Sequence, residues 1–100
     1  MEKIYTIDEI RNKIREHENF LKQNFYVNNF LLFGSYAKGH QTDKSDIDLL
    51  VEFSGNIDMF KFIDLQEFLS NLFGKKVDLG TPSGLKSYAK NTILSEAVTL

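Results

Sequence analysis

The run Ile47-Asp48-Leu49-Leu50-Val51-Glu52-Phe53 constrains the fold of this chain more than any other stretch. It is nearly all apolar, and Ser54-Gly55-Asn56 closes it with a turn signal. A strand with one wet face alternates apolar and polar residues. This one does not, so it reads as a strand buried on both faces. Residues 26–33 form a second apolar and aromatic strand, strongest over 30–33 and stopped by Gly34. Residues 76–79 form a third, broken off by Gly80-Thr81-Pro82-Ser83-Gly84.

Helical periodicity fills the intervals. Thr6 followed by Glu9 forms a capping box, and Ile7, Ile10, Ile14 and Leu21 make the stripe of a helix ending near Asn24. Arg11, Arg15, Glu16 and Lys22 take its opposite side. Residues 58–73 predict a second helix with Phe62, Leu65, Leu69 and Leu72 as its stripe, widened by Ile63 and Phe68, and Gly74 as its C-terminal glycine. Residues 34–44 are polar and small, a loop with one helical turn. Leu85, Tyr88, Ala89, Ile93, Ala97 and Leu100 suit one or two short helices at the end. Three strands with these helices pack naturally as an open sheet covered on one face.

A chain of 100 residues is expected to form one domain, 1–100, burying roughly 60–65% of its unfolded surface. A hydrophobic content of 42% is globular rather than disordered. The absence of Cys excludes disulfides, thiolate zinc sites and cysteine nucleophiles. A net charge of −2 offers no broad basic surface and argues against direct nucleic-acid binding. No run reads as a signal peptide or membrane span, so the expected location is cytoplasmic and no membrane partner is expected.

Three features carry chemistry together: Gly34-Ser35 directly after a strand, Asp46-Ile47-Asp48 at the head of the next, and Asp78 inside the last. Residues two apart in a strand face one side, so Asp46 and Asp48 point the same way with backbones roughly 6.5–7 Å apart. That spacing lets both side chains reach one cation. Asp78 interrupts Val77-Asp78-Leu79 and joins them if its strand lies alongside. Three such carboxylates repel one another unless a cation intervenes, and oxygen-only ligands favour Mg²⁺ or Mn²⁺. Gly34 permits a close backbone approach, and Ser35 with the free N–H groups of a following helical turn suits phosphate. Lys38 and Lys44 add nearby positive charge. Each feature alone is ordinary; their order and spacing are not.

Gly34-Ser35, ten residues, then Asp46-x-Asp48 and an apolar strand resembles the signature of the polymerase-β-like nucleotidyltransferase superfamily. The longer run from Gly34-Ser35-Tyr36-Ala37-Lys38-Gly39 to Phe53, with Val77-Asp78-Leu79, Leu85-Lys86 and Ile93-Leu94-Ser95-Glu96-Ala97, resembles the minimal nucleotidyltransferase (MNT) branch. The resemblance covers nearly the whole chain. It implies an α+β nucleotidyltransferase fold, a small mixed β-sheet with helices packed mainly on one face. It implies transfer of a nucleoside monophosphate, AMP from ATP, to an acceptor hydroxyl. Gly34 and Ser35 would hold the triphosphate, and Asp46 and Asp48 would bind two Mg²⁺ ions. Asp78 would bind the acceptor-side ion and help deprotonate the acceptor. Members of this branch commonly act as antitoxins of HEPN-domain toxins, some by transferring AMP to a toxin Tyr, so the expected partners are a nucleoside triphosphate and such a toxin.

One position departs from the pattern: Lys38 stands where the family often has Arg, keeping the charge without the bidentate fork. Neutralisation of a partner by binding alone, and nucleotidyl transfer to a small molecule or RNA, are the alternative readings. Homo- or hetero-oligomers are both compatible with the sequence. Phe60, Phe62 and Phe68 read first as core and second as a docking surface. His17 reads as a surface residue, His40 as a phosphate neighbour, and Tyr36 as either a base-stacking or an exposed ring.

Overall fold

The structure, a computed structural model, describes residues 4–100. Residues 1–3 of the expected 1–100 domain lie outside the described part. Thr6 opens the first helix as its sequence requires: its Oγ1 accepts from the Glu9 N–H at 3.1 Å, and its own N–H donates to Glu9 Oε1 at 3.0 Å. Helix α1 spans Ile7–Glu16 and α2 spans Glu18–Phe25, so the single helix expected up to Asn24 is in fact broken at His17. The cause is local. His17 Nδ1 bonds the Lys13 carbonyl at 2.9 Å, the acceptor a continuous helix would give to the residue-17 N–H, and that N–H bonds Ile14 O instead. The two pieces still bury one stripe, Ile10, Ile14, Leu21 and Phe25.

Tyr26, left-handed at φ 54°, turns the chain into β1 (Val27–Phe33). The short helix α3 (Gly34–Lys38) leads to β2 (Ile47–Phe53), antiparallel to β1 with an irregularity between Val27 and Asn29. Helix α4 (Met59–Phe73) starts at Asp58, whose Oδ1 accepts from the Lys61 N–H at 2.8 Å. It ends at Gly74, whose φ of 66° is the left-handed turn that glycine takes without strain. Strand β3 (Val77–Gly80) then lies parallel to β2, making β2–α4–β3 the crossover that parallel pairing needs. A 3₁₀ turn (Pro82–Gly84), α5 (Ser87–Glu96) and β4 (Val98–Thr99) complete the described chain.

The sheet order is β3-β2-β1-β4, a mixed sheet in which β2 is flanked on both sides. Helix α5 is one of the one or two short helices expected over residues 85–100, and strand β4 is an element that expectation did not include. Val98 and Thr99 pair antiparallel with Leu32 and Leu31, and the Leu100 N–H donates to Phe30 O at 3.0 Å. Two residues are too few for any alternation to show in sequence.

Helices α1, α2 and α4 share one core with the sheet. Ile47, Leu49 and Val51 of β2, Phe30 and Leu32 of β1 and Val77 of β3 meet Ile10, Ile14, Leu21, Leu65, Leu69 and Phe73. Phe73 belongs to that stripe, whereas Ile63, expected to widen it, is 51% exposed. Leu50 is buried on the other face, beside Gly80 of β3. The nucleotidyltransferase architecture, a small mixed sheet with helices mainly on one side, is therefore present.

Candidate active site

The strand register assembles the site. The C-terminal end of β1 and the N-terminal ends of β2 and β3 fall at one end of the sheet, and Phe33, Asp48 and Asp78 stand in register across the three strands. Neighbouring strands lie about 4.8 Å apart, so Asp48 and Asp78 are side-by-side on one face. Asp46 directly precedes β2, and the Ile47 N–H donates to Lys76 O at 3.1 Å, tying the two strand heads together.

Asp48 carries the electrostatic signature of the site. Burial raises its carboxyl most, the charge of Asp78 and then that of Asp46 add to this, and a hydrogen bond with Asp78 contributes further. Lys76 opposes them, and the net result is a pKa pushed from 3.8 to about 6. Charge crowding among the three carboxylates, expected from their spacing, thus contributes at Asp48 but stands second to burial. The carboxylates are gathered without being closed into a ligand set: among the described residues, no group of three Asp, Glu or His side chains has metal-holding geometry. Instead, Lys76 Nζ lies 3.6 Å from Asp78 Oδ1 and 3.9 Å from Asp46 Oδ2.

Gly34 is glycine for two reasons. Its φ is 73°, and a Cβ there would run into the Asp48 carboxylate. The backbone therefore closes one side of the acidic cluster at the point where Ser35 enters α3. Ser35 is half-buried, and its carbonyl accepts from the His40 N–H at 2.9 Å, folding the loop back on the helix. Lys38 forms an ion pair with Glu96 of α5 at 3.3 Å, so its charge is shared with that helix. Lys44 and His40 are exposed.

Tyr36 differs from both readings of it: its ring is fully buried, neither stacked nor exposed. Its hydroxyl accepts from Lys75 Nζ at 3.0 Å, and that ammonium also lies 5.4 Å from the ring centroid. Lys75 is itself only 6% exposed. Sequence reasoning missed both lysines. The signal available was period two: Lys75 and Lys76, at the head of a strand, point to opposite sides, one into the core and one to the carboxylates.

His17 is a half-buried break in the helix rather than a surface residue, its ring 5.8 Å from that of Phe68. Phe68 also stacks near Phe20 and Phe25, and Phe62 packs against the core, while Phe60 is 82% exposed. No helix among the described residues is long and apolar enough to cross a membrane.

Comparison with known proteins adds the family. Residues 14–100 match the nucleotidyltransferase domain. A candidate protein adenylyltransferase of Methanocaldococcus jannaschii is 44% identical over 94 residues, covering 93% of this chain and 96% of that one. The protein adenylyltransferase MntA of Thermococcus cleftensis is 40% identical over 93 residues, covering 93% and 94%. A solved candidate minimal nucleotidyltransferase superposes with a TM-score of 0.79 at 26% identity, covering 96% and 97%. A chain of a toxin–antitoxin crystal structure with AMP-PNP gives 0.70 at 26% identity, covering 88% and 69%. A chain from the complex of tri-AMPylated Shewanella oneidensis HEPN toxin with MNT antitoxin shares the fold, with a TM-score of 0.63 at 19% identity over 90% and 70%. A chain that matches this domain from residue 14 to residue 100 and carries carboxylates at the heads of two adjoining strands belongs to the family: it is a minimal nucleotidyltransferase.

Proposed function

We propose that this enzyme transfers AMP from Mg²⁺-ATP to a hydroxyl of a partner protein, a Tyr of a HEPN-domain toxin, and acts in the cytoplasm as that toxin's antitoxin. The observation that carries the reading is the alignment of Asp48 with Asp78, with Gly34 backed against the Asp48 carboxylate. The adenylyltransferase name of the T. cleftensis relative, the AMP-PNP in one neighbour and the AMPylated HEPN toxin in another support this choice of nucleotide and partner.

Two Mg²⁺ ions suit the site. All three donors are oxygen, and the Asp48 carboxyl is raised first by burial and then by the charges of Asp78 and Asp46, the part that a divalent ion would relieve. Asp46 and Asp48 would hold both ions and Asp78 the acceptor-side one; bound there, the ions would supply Lewis-acid charge to the transferring phosphoryl group. The chain's own residues do the positioning. The Gly34-Ser35 turn and the first N–H groups of α3 hold the triphosphate against the sheet end. Asp78 accepts the proton of the acceptor hydroxyl. The acceptor oxygen forms a bond to the α-phosphorus in line as the bond to pyrophosphate breaks, so AMP is transferred and pyrophosphate leaves.

ATP labelled at the α- or the γ-phosphate, incubated with Mg²⁺, this protein and its HEPN partner, tests the reaction. Covalent label from α-ATP alone, lost in Asp48→Asn, is the expected result. Label from γ-ATP would identify a kinase instead, and a tight complex without label would mean neutralisation by binding alone.

A further inference from the structure

We infer that Lys76 is a built-in stand-in cation for the carboxylate cluster: it bridges Asp46 and Asp78 in the metal-free protein and must leave when a divalent ion binds. The inference rests on the proposed role of Asp46, Asp48 and Asp78 as metal ligands.

Three observations lead to it. First, one ammonium reaches carboxylates from two strand heads, 3.6 Å from Asp78 and 3.9 Å from Asp46. Like charges gathered this closely need a counter-charge, and Lys76 supplies it. Second, neighbouring lysines are engaged elsewhere. Lys75 turns into the core onto Tyr36, and Lys38 pairs with Glu96. Third, the Lys76 side chain is 66% exposed, so it can swing into solvent without disturbing the core. Ion pairs of that exposure are weak. A divalent ion brings twice the charge and direct coordination, and it needs the same carboxylate oxygens. Lys76 therefore keeps the acidic cluster together without locking it, and it sets the divalent-ion concentration at which the site fills.

Binding of Mn²⁺ to the full chain without nucleotide, followed through the EPR signal of free Mn²⁺, tests this. Lys76→Met is expected to bind Mn²⁺ about three- to fivefold more tightly than the wild type, and Lys76→Arg to stay near it. Lys44→Met is the control. It removes a charge from the loop before Asp46 that forms no ion pair among the described residues, and should shift affinity far less. In a ¹³C-methylated-lysine NMR spectrum, the Lys76 resonance should move on Mg²⁺ addition. Unchanged or weaker Mn²⁺ binding in Lys76→Met, or an equal effect in Lys44→Met, would overturn the inference while leaving the metal site standing. Absence of Mn²⁺ binding in both wild type and Lys76→Met, or binding indifferent to Asp48→Asn, would overturn the metal-site reading and the inference with it.

Discussion

On the helix-covered face of the sheet, Ile47, Leu49 and Val51 of β2 are wholly buried against α1, α2 and α4. One residue along the same strand, on the opposite face, Asp48 is half-buried beside Asp78 with its pKa pushed up to about 6. The backbone is common to both faces, so the difference lies in what each face is next to. Apolar contact makes the first face a source of stability. Partial burial, with the neighbouring carboxylates adding to it, makes ionising Asp48 costly on the second, and a cation there would lower the charge part of that cost. Period two lets a single strand hold both without compromise.

Substitutions at adjacent positions should separate the two faces. Asp48→Asn should reduce AMP transfer about a thousandfold or more while leaving a cooperative unfolding transition, measured by α-label incorporation alongside a thermal melt. Leu49→Ala should do the reverse, costing about 2–5 kcal/mol in chemical denaturation while the residual folded fraction keeps its activity. A Leu49→Ala protein of normal stability would break the comparison.

Tyr36→Phe probes the contact between the core and the turn at Gly34-Ser35. It leaves the buried Lys75 ammonium without its hydroxyl acceptor, and a loss of about 1.5–3 kcal/mol is expected by urea titration. Gly34→Ala places a methyl against the Asp48 carboxylate in a left-handed backbone, so about 1–2 kcal/mol of strain should accompany a loss of transfer activity.

The smallest expected effect is on pH. The Asp48 carboxyl ordinarily titrates near 3.8 and does so near 6 when folded, so between those values the folded chain binds more protons than the unfolded one. Stability of the metal-free protein should therefore fall as pH rises from 4 through 6 and stay reduced above it. Because the group is half-buried and screened, its share is about 1 kcal/mol. Melts in EDTA across that range should show the decline in wild type and less of it in Asp48→Asn, with added Mg²⁺ restoring the loss.

Features legible in the sequence are those set by local chemistry. The Thr6–Glu9 capping box, the Asp58 and Gly74 ends of α4 and the turn after Phe53 depend on residues within a few positions of each other. The break at His17 was hidden because an imidazole competing for the Lys13 carbonyl leaves the apolar stripe intact on both sides. Tyr36 was misread because nothing in Ser35-Tyr36-Ala37 reveals that the ring turns into the core towards Lys75, 39 positions away.

The sequence by itself determined which groups are candidates for the chemistry: two Asp two apart at a strand head, a glycine close before them, and a third Asp interrupting an apolar strand. Only the tertiary structure decided that Asp78 stands beside Asp48, because parallel pairing of β2 and β3 is set by the α4 crossover and by the shared core, not by either strand. The same packing sent Lys75 inward and Lys76 to the carboxylates, and let Val98 and Thr99 complete the sheet at the edge of β1. Period two sets which face each side chain takes, but which strand or residue it meets there is a long-range choice made by burial.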